Sequence, residues 1–225
     1  MINILDVRIP VMKPLKPTLL VTLGPTQEPL DAMRLISNRS TGELGTMLAL
    51  KLIHSGHSVI ALRGSGSTAD SAELIRHCEQ VIPFACTADL KAALENLSAE
   101  LLPIIGVFHT AAVSDFYLPS AGSGKIPTSE GTLNLTLEPT PKLLPLMRGW
   151  FPEARITGWK FEAGGTKESA LEAGLAQMQK YHTDSCVVNG PSYGEGFGFL
   201  DRSGRRDHLP DRSTLCEYLA KSVIS

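Results

Sequence analysis

The chain has 225 residues, with 21 Lys and Arg, 23 Asp and Glu, and a formal net charge of −2 at pH 7. Hydrophobic residues make up 43% and charged residues 20%, and no segment approaches the roughly 18 uninterrupted apolar residues of a membrane helix. The charge balance argues against nonspecific nucleic-acid binding, which requires dense Lys and Arg clusters. We expect a soluble, cytoplasmic protein with one core and no secretory signal.

Predicted strands and helices alternate along most of the chain. Short apolar runs predict strands at residues 19–23, 59–62, 81–84, 104–108, 156–159 and 186–188. Helical spacing of apolar residues predicts helices at 41–56, 71–78, 88–101, 167–181 and 212–223. This alternation predicts an α/β fold: a doubly wound, mainly parallel, Rossmann-like sheet with helices on both faces.

Two segments depart from the alternation. Residues 114–128 are rich in Gly, Ser and Pro, and residues 133–137 alternate with the period of a half-exposed strand. We interpret the region of about 114–138 as a flap or arm beside the main sheet, and we expect the flap to be loose in the empty protein. Residues 197–209, centred on Ser203 and Gly204, predict a C-terminal hairpin.

The four cysteines predict neither a disulfide scaffold nor a metal site. Their spacing is irregular, and a chain of this length can build a core without crosslinks. We predict that they are reduced packing residues, namely Cys78, Cys86, Cys186 and Cys216. The six histidines also show no paired metal spacing, although His109 borders a loop of interest.

The loop after the first predicted strand is long and polar. Its sequence is GPTQEPLDAMRLISNRSTGELG, and the helix that follows starts near Ser40, Thr41 and Gly42. Backbone amides at such a start have no partners within the helix, so they favour phosphate or carboxylate. A capped surface loop is the alternative.

The loop after the strand at 104–108 runs from His109 to Asp115. Its small residues would let a ligand approach the backbone, and Asp115 could bind a hydroxyl or a metal-bound water. Lys125 follows in the predicted flap, where it could reach a triphosphate, although a solvated loop lysine is the alternative. In parallel sheets, ligands bind at the carboxyl ends of the strands, so both loops are candidates.

A glycine-rich stretch at residues 64–69 imitates a dinucleotide fingerprint. The fingerprint belongs after the first strand of its unit, whereas this stretch follows the second predicted strand, so we interpret the match as coincidental. It nevertheless supports a rival hypothesis, an NADP-dependent reductase in which Arg63 accepts the 2′-phosphate. Stabilisation by NADPH alone, rather than by CTP or ATP, would favour that rival.

The ordered set of loop motifs resembles the phosphopantothenate–cysteine ligase family, also called phosphopantothenoylcysteine synthetase. The resemblance spans residues 21 to about 219 through GPTQEPLD, RLISNRSTGELG, AAVSDF, GKI, LEPTPKLL, GWKFE and DSCVVN. The stretch KIPTSEGTLNLTLEPTPKLLPLMRGW is especially similar to the stand-alone bacterial form. The resemblance implies a single ligase domain over 1–225, CTP as the nucleotide, Mg²⁺ bound with it, and no flavin.

In that family, the carboxylate of 4′-phosphopantothenate attacks the α-phosphate of CTP, and the amine of cysteine then displaces CMP. The resemblance implies catalytic roles for Arg34, Asn38 and Lys125, with Asn38 contacting the acyl intermediate. The predicted nucleotide-binding residues are Gly24, Thr110, Ala111, Asp115, Lys125, Pro141, Lys142, Leu143, Leu144 and Trp159. The predicted substrate-binding residues are Arg34, Asn38, Ser40, Thr41 and Gly42. The family further implies a homodimer whose flap completes the neighbouring site.

The sequence departs from the family pattern at three places. Gln177 and Tyr181 stand where many relatives have lysines, and Trp159 stands where phenylalanine is usual. Residues 127–129 lack the lysines that many fused enzymes have after the flap. A nucleotide-binding protein that has lost catalysis is therefore the third hypothesis, and turnover distinguishes it from the ligase.

Overall fold

The computed structural model describes residues 16–121, 124–127, 129 and 131–223. Its strands are β1 (Thr18–Leu23), β2 (Gln27–Pro29), β3 (Leu35–Ser37), β4 (Ser58–Gly64), β5 (Gln80–Phe84), β6 (Ile104–His109), β7 (Phe116–Tyr117), β8 (Glu138–Pro139), β9 (Arg155–Phe161), β10 (Ser185–Asn189), β11 (Phe197–Asp201) and β12 (Arg206–Leu209). Its helices are α1 (Glu43–His54), α2 (Ala72–His77), α3 (Thr87–Ala99), α4 (Leu144–Trp150), α5 (Lys167–Tyr181) and α6 (Arg212–Ser222).

The main sheet has eight strands in the order β12-β11-β10-β9-β6-β1-β4-β5. The six strands from β10 to β5 are parallel, and β11 and β12 add an antiparallel hairpin at one edge. The chain leaves β1 towards β4 on one side and returns to β6 on the other. The loops after β1 and β6 therefore lie together at the carboxyl edge, where strand order reverses and ligands bind in such sheets.

Helices cover both faces of the sheet because alternate residues of β1 point to opposite sides. Leu19 and Val21 pack with residues of α1 and α6, whereas Leu20 packs with residues of α3 and α4. All three are at most 1% exposed. Burial on both faces accounts for the nearly continuous apolar sequence of this strand. The doubly wound α/β prediction is confirmed.

Most predicted elements occur within one to three residues of their predicted bounds, and the C-terminal hairpin is present with Gly204 in a left-handed conformation at its turn. The strand predicted at 133–137 is wrong: that segment has no strand pairing, and only Glu138–Pro139 pairs with Phe116–Tyr117. Leu133 and Leu135 are partly exposed rather than packed on a sheet, so their alternation lacks the buried face that would fix a strand.

Helix α4 was not predicted, because Pro145 in its sequence is a residue that usually interrupts helices. Proline is nevertheless tolerated in the first turn of a helix, and Pro145 lies there.

The cysteines carry no crosslink. Cys78, Cys86, Cys186 and Cys216 are all free thiols. Burial raises the pKa of both Cys186 and Cys216 to about 12, so these two thiols stay protonated and unreactive. Within the described ranges, no helix is long and apolar enough to cross a bilayer.

Candidate active site

Hydrogen bonds join the loops that follow β1 and β6. The Ala112 amide donates to the Gly24 carbonyl at 2.9 Å, and the Thr26 amide donates to the Ala112 carbonyl at 3.2 Å. The Ser114 amide donates to Thr26 Oγ1 at 2.9 Å, and Thr26 is fully buried. The two loops therefore form one hydrogen-bonded rim at the carboxyl edge of the sheet.

His109 contributes to this rim from a buried position. Its Nδ1 lies 2.8 Å from Thr22 Oγ1, which also accepts a hydrogen bond from the Ala111 amide. Burial lowers the pKa of His109 to about 4, so the ring is neutral near pH 7. His109 therefore packs in the rim as a neutral ring that is hydrogen-bonded to Thr22.

A cleft of about 800 Å³ opens beside the rim. The predicted site residues that line it are Asn38, Ser40, Thr41, Gly42, Thr110, Ala111, Asp115 and Trp159. Sequence reasoning missed several further lining residues, among them Arg39, Glu43, Phe161, Asn189 and Arg212. Phe161 and Asn189 end the neighbouring parallel strands β9 and β10 and are register partners. Their place at the carboxyl edge was the signal that could have found them.

The start of α1 forms the floor of the cleft. Gly42, the N-cap residue, adopts φ +77° and has no side chain to cap the helix, whereas the Glu43 amide donates to Thr41 Oγ1 at 3.3 Å. Gly45 packs so closely on β1 that an added Cβ would lie 2.4 Å from Leu23 Cβ and from Thr110 Oγ1. The next two amides, of Leu44 and Gly45, have no partner within the helix, and together with the helix dipole they make this end of the cleft attractive to anions.

Asn38 connects the two loops at the mouth of the cleft. Its Nδ2 donates to the Val113 carbonyl at 3.0 Å, which fixes the orientation of the amide. Nearby, Asp115 forms an ion pair with Lys142. The cleft mouth thus carries a held amide and a carboxylate whose charge is already balanced.

Arg34 and Lys125 lie outside this cleft. Arg34 Nη1 donates to Asp31 Oδ2 at 2.9 Å and to the Ile126 carbonyl at 3.3 Å. Asp31 Oδ2 also accepts from the Ile126 amide at 3.0 Å, and the Ala32 amide donates to the Gly124 carbonyl at 3.3 Å. Arg34 therefore holds the segment that carries Lys125, and the Lys125 side chain is exposed.

This docking should depend on pH through Asp31. Hydrogen bonds from the Ile126 amide, then from the Met33 amide, lower the pKa of Asp31 from its ordinary value of 3.8. A lowered pKa means that the carboxylate stabilises the docked segment above about pH 3.8 and loses that effect as pH falls through the lower, folded value. We expect the Ile126 amide resonance to titrate with a midpoint below 3.8. A midpoint at or above 3.8 would contradict the docking.

The remaining predicted nucleotide residues surround the cleft without lining it. Lys142 and Pro141 are exposed, whereas Leu143 and Leu144 are buried in the core beneath α3 and α4. Any contact that Leu143 and Leu144 make with a ligand would therefore use their backbone. Gln177 Nε2 donates to the Trp159 carbonyl at 3.1 Å, so this side chain braces β9 and is not free to bind phosphate.

The glycine-rich stretch at 64–69 supports the first loop. The amides of Thr68 and Ala69 both donate to the Thr41 carbonyl at 3.1 Å. Arg63 Nη2 donates to the carbonyls of Ser67 and Ala69 at 2.8 and 3.1 Å. Arg63 is thus engaged with its own loop, which gives no support to the NADP hypothesis.

Gly24, in the loop after β1, packs against the 64–69 stretch at a position that only glycine fits. Its φ is +83°, and an added Cβ would lie 1.9 Å from Ser67 Oγ. We expect Gly24→Ala to lower the free energy of unfolding by about 1–3 kcal/mol through backbone strain and this clash. In urea unfolding, the same change in a Ser67→Gly background should cost less, because only the strain remains. Equal costs in both backgrounds would rule out the clash.

Comparison with known proteins identifies a family that this chain matches. Residues 16–205 match the family model of the DNA/pantothenate metabolism flavoprotein C-terminal domain. A bifunctional coenzyme A biosynthesis protein, CoaBC, of Thermococcus kodakarensis is 30% identical over 76% of this chain and 40% of its own length. Phosphopantothenate–cysteine ligase 2 of rice (Oryza sativa subsp. japonica) is 28% identical over 75% of this chain and 66% of its own length. The chain thus spans between two fifths and two thirds of these relatives.

Solved structures share the fold. The DNA/pantothenate metabolism flavoprotein from Streptococcus pneumoniae superposes with a TM-score of 0.80 at 20% identity, over 93% of this chain and 98% of the other. A Cab2 mutant in complex with phosphopantothenate-cysteine superposes with a TM-score of 0.73 at 20% identity, over 92% of this chain and 85% of the other. At this identity the likeness extends to the fold alone.

Proposed function

The chain belongs to the family of the DNA/pantothenate metabolism flavoprotein C-terminal domain, and on this premise we propose that it joins 4′-phosphopantothenate to cysteine with CTP. The substrate carboxylate attacks the α-phosphate of CTP, and pyrophosphate leaves. The cysteine amine then attacks the acyl carbon, and CMP leaves. The observation that carries the proposal is the cleft, which combines the anion-attracting start of α1 with the held amide of Asn38.

The reaction requires charge stabilisation more than a nucleophilic side chain. The first-turn amides of α1 would accept phosphate oxygens, and Trp159 with Phe161 would supply aromatic surface for the base. Arg39 lines the cleft and, within the described ranges, makes no ion pair, so its charge is available to a phosphate. Asn38 lines the same cleft, and in this proposal its amide donates to the acyl intermediate.

Mg²⁺ is part of the proposal as a companion of CTP. In the described part of the chain, no cluster of three His, Cys, Asp or Glu could hold a metal by itself. Asp115 offers the cleft one carboxylate, which already pairs with Lys142, and this limited protein contribution fits an ion carried mainly by substrate phosphates. The ion would offset the repulsion between phosphate oxygens. We propose no flavin, because the chemistry transfers no electrons.

We further propose that the protein is a homodimer in the cytoplasm. The exposed fraction is 72% for Met33, 49% for Leu35 and 51% for Phe116. Met33 lies in the turn between β2 and β3, Leu35 lies on β3 and Phe116 on β7, and β2 contacts both β3 and β7. Exposed apolar residues grouped in this way favour burial against another protein surface. Because Arg34 and Lys125 belong to the same region and not to the cleft of their own chain, a second copy could receive them. The free thiols are compatible with a reducing compartment.

A turnover assay tests the function. Purified protein is incubated with 4′-phosphopantothenate, cysteine, Mg²⁺ and either CTP or ATP, and the release of CMP or AMP and of pyrophosphate is followed. We expect release with CTP that depends on both other substrates. Nucleotide binding without release would instead favour a binding protein that has lost catalysis, and the absence of both would end the ligase hypothesis.

A further inference from the structure

Two ion pairs connect α1 to α6, and they differ in position. Lys51 Nζ lies 2.9 Å from Glu217 Oε1, away from the cleft lining. Arg212 Nη1 lies 2.6 Å from Glu43 Oε2, and both of these residues line the cleft. The two helices already share the buried contacts of Leu48 and Leu215, so neither pair is needed to bring them together.

Helix stability does not account for Arg212. It is the first residue of α6, where the helix dipole is positive and a cation is disfavoured. Asp211 already caps this helix, since its Oδ1 accepts from the Thr214 amide at 2.7 Å. Glu43 is therefore the contact that offsets the unfavourable placement of the guanidinium.

Glu43 stabilises Arg212, but its negative charge disfavours the binding of an anion in the cleft. It is the first residue of α1, beside the amides of Leu44 and Gly45, which have no partner within the helix and attract anions. An unbalanced carboxylate there would repel a polyphosphate, because like charges a few ångströms apart repel strongly in a partly enclosed site. Arg212 is half exposed and long, so it can turn from this carboxylate to a phosphate in the same cleft.

We propose that Arg212 is a phosphate-binding residue of the nucleotide site, held beside the cleft by Glu43 and transferred to the phosphates of CTP when the nucleotide binds. The inference rests on the proposed function. Removal of the guanidinium then has two effects, since it deletes one charge-assisted contact and leaves Glu43 unbalanced. Neutralisation of Glu43 alone should do the reverse and strengthen binding.

The experiment is titration calorimetry of CTP with Mg²⁺ on the full chain, together with the melting temperature of each variant. We expect Arg212→Ala to raise Kd about tenfold or more, the scale of a charge-assisted hydrogen bond. Arg212→Lys should recover part of the loss, Glu43→Gln should lower Kd, and Kd of the Glu43→Gln/Arg212→Ala double variant should fall between those of its single variants. Steady-state KM for CTP should follow Kd while kcat changes little.

Lys51→Ala and Glu217→Gln are matched controls, because they break the other ion pair between the same helices. A purely structural role predicts that Arg212→Ala and Glu43→Gln lower the melting temperature as much as these two controls do and leave Kd unchanged, and that result would overturn the inference. Absence of CTP binding by the unmodified protein would overturn the proposed function and this inference with it. Binding by the unmodified protein with equal Kd in Arg212→Ala would overturn this inference alone.

Discussion

Replacement of Lys125 by alanine is expected to lower turnover by roughly a hundredfold or more while the fold remains intact. The Lys125 side chain is exposed, and the backbone of its segment is held by Asp31 and Arg34 at Ile126. The substitution removes the ammonium and leaves these backbone contacts in place. The expected loss is of the size seen when one charge-stabilising donor is removed from a reaction centre.

Steady-state rates and the melting temperature measured on one preparation would test this prediction. We expect the melting temperature to change by no more than about 2 °C, since exposed loop residues contribute little to stability. Lys91→Ala on α3 is a control, because Lys91 is a partly exposed lysine far from the cleft lining that pairs with Glu95 on its own helix. Turnover equal to that of the control would identify Lys125 as a solvated loop lysine.

Asn38→Asp is expected to slow the second half-reaction more than the first, by about a hundredfold to a thousandfold. The amide now donates to the Val113 carbonyl, whereas a carboxylate in its place would repel that oxygen and the acyl intermediate alike. The acyl-cytidylate should therefore accumulate while pyrophosphate release continues for one turnover.

Rapid-quench mass spectrometry would detect the accumulated intermediate. Asn96→Asp, an equivalent change at an exposed position of α3, is the control and should behave as the unmodified protein. If pyrophosphate release slows as much as overall turnover and no intermediate builds up, Asn38 does not have the proposed role.

The sequence by itself determined the order of the main-sheet strands and of the helices other than α4. Buried strands such as β1 and β6 are short apolar runs, and Thr166 caps α5 from just before its first residue, so local composition defines where these elements begin and end. The same reasoning placed the loops after β1 and β6 at the carboxyl edge. These loops carry Asn38, Thr41 and Asp115, which line the cleft, and Arg34, which does not.

Only the tertiary structure decided which side chains meet. Glu43 and Arg212 are 169 residues apart, and Arg34 reaches Ile126 across 92 residues, so no local pattern reveals either contact. Residues 133–137 show the converse: a strand pattern remains unpaired, since no buried face receives its leucines. The spacing of apolar residues along the sequence indicates the type of element, because each element buries one or both of its faces. Whether a strand pairs, and which charged side chains meet, depends on how the whole chain folds.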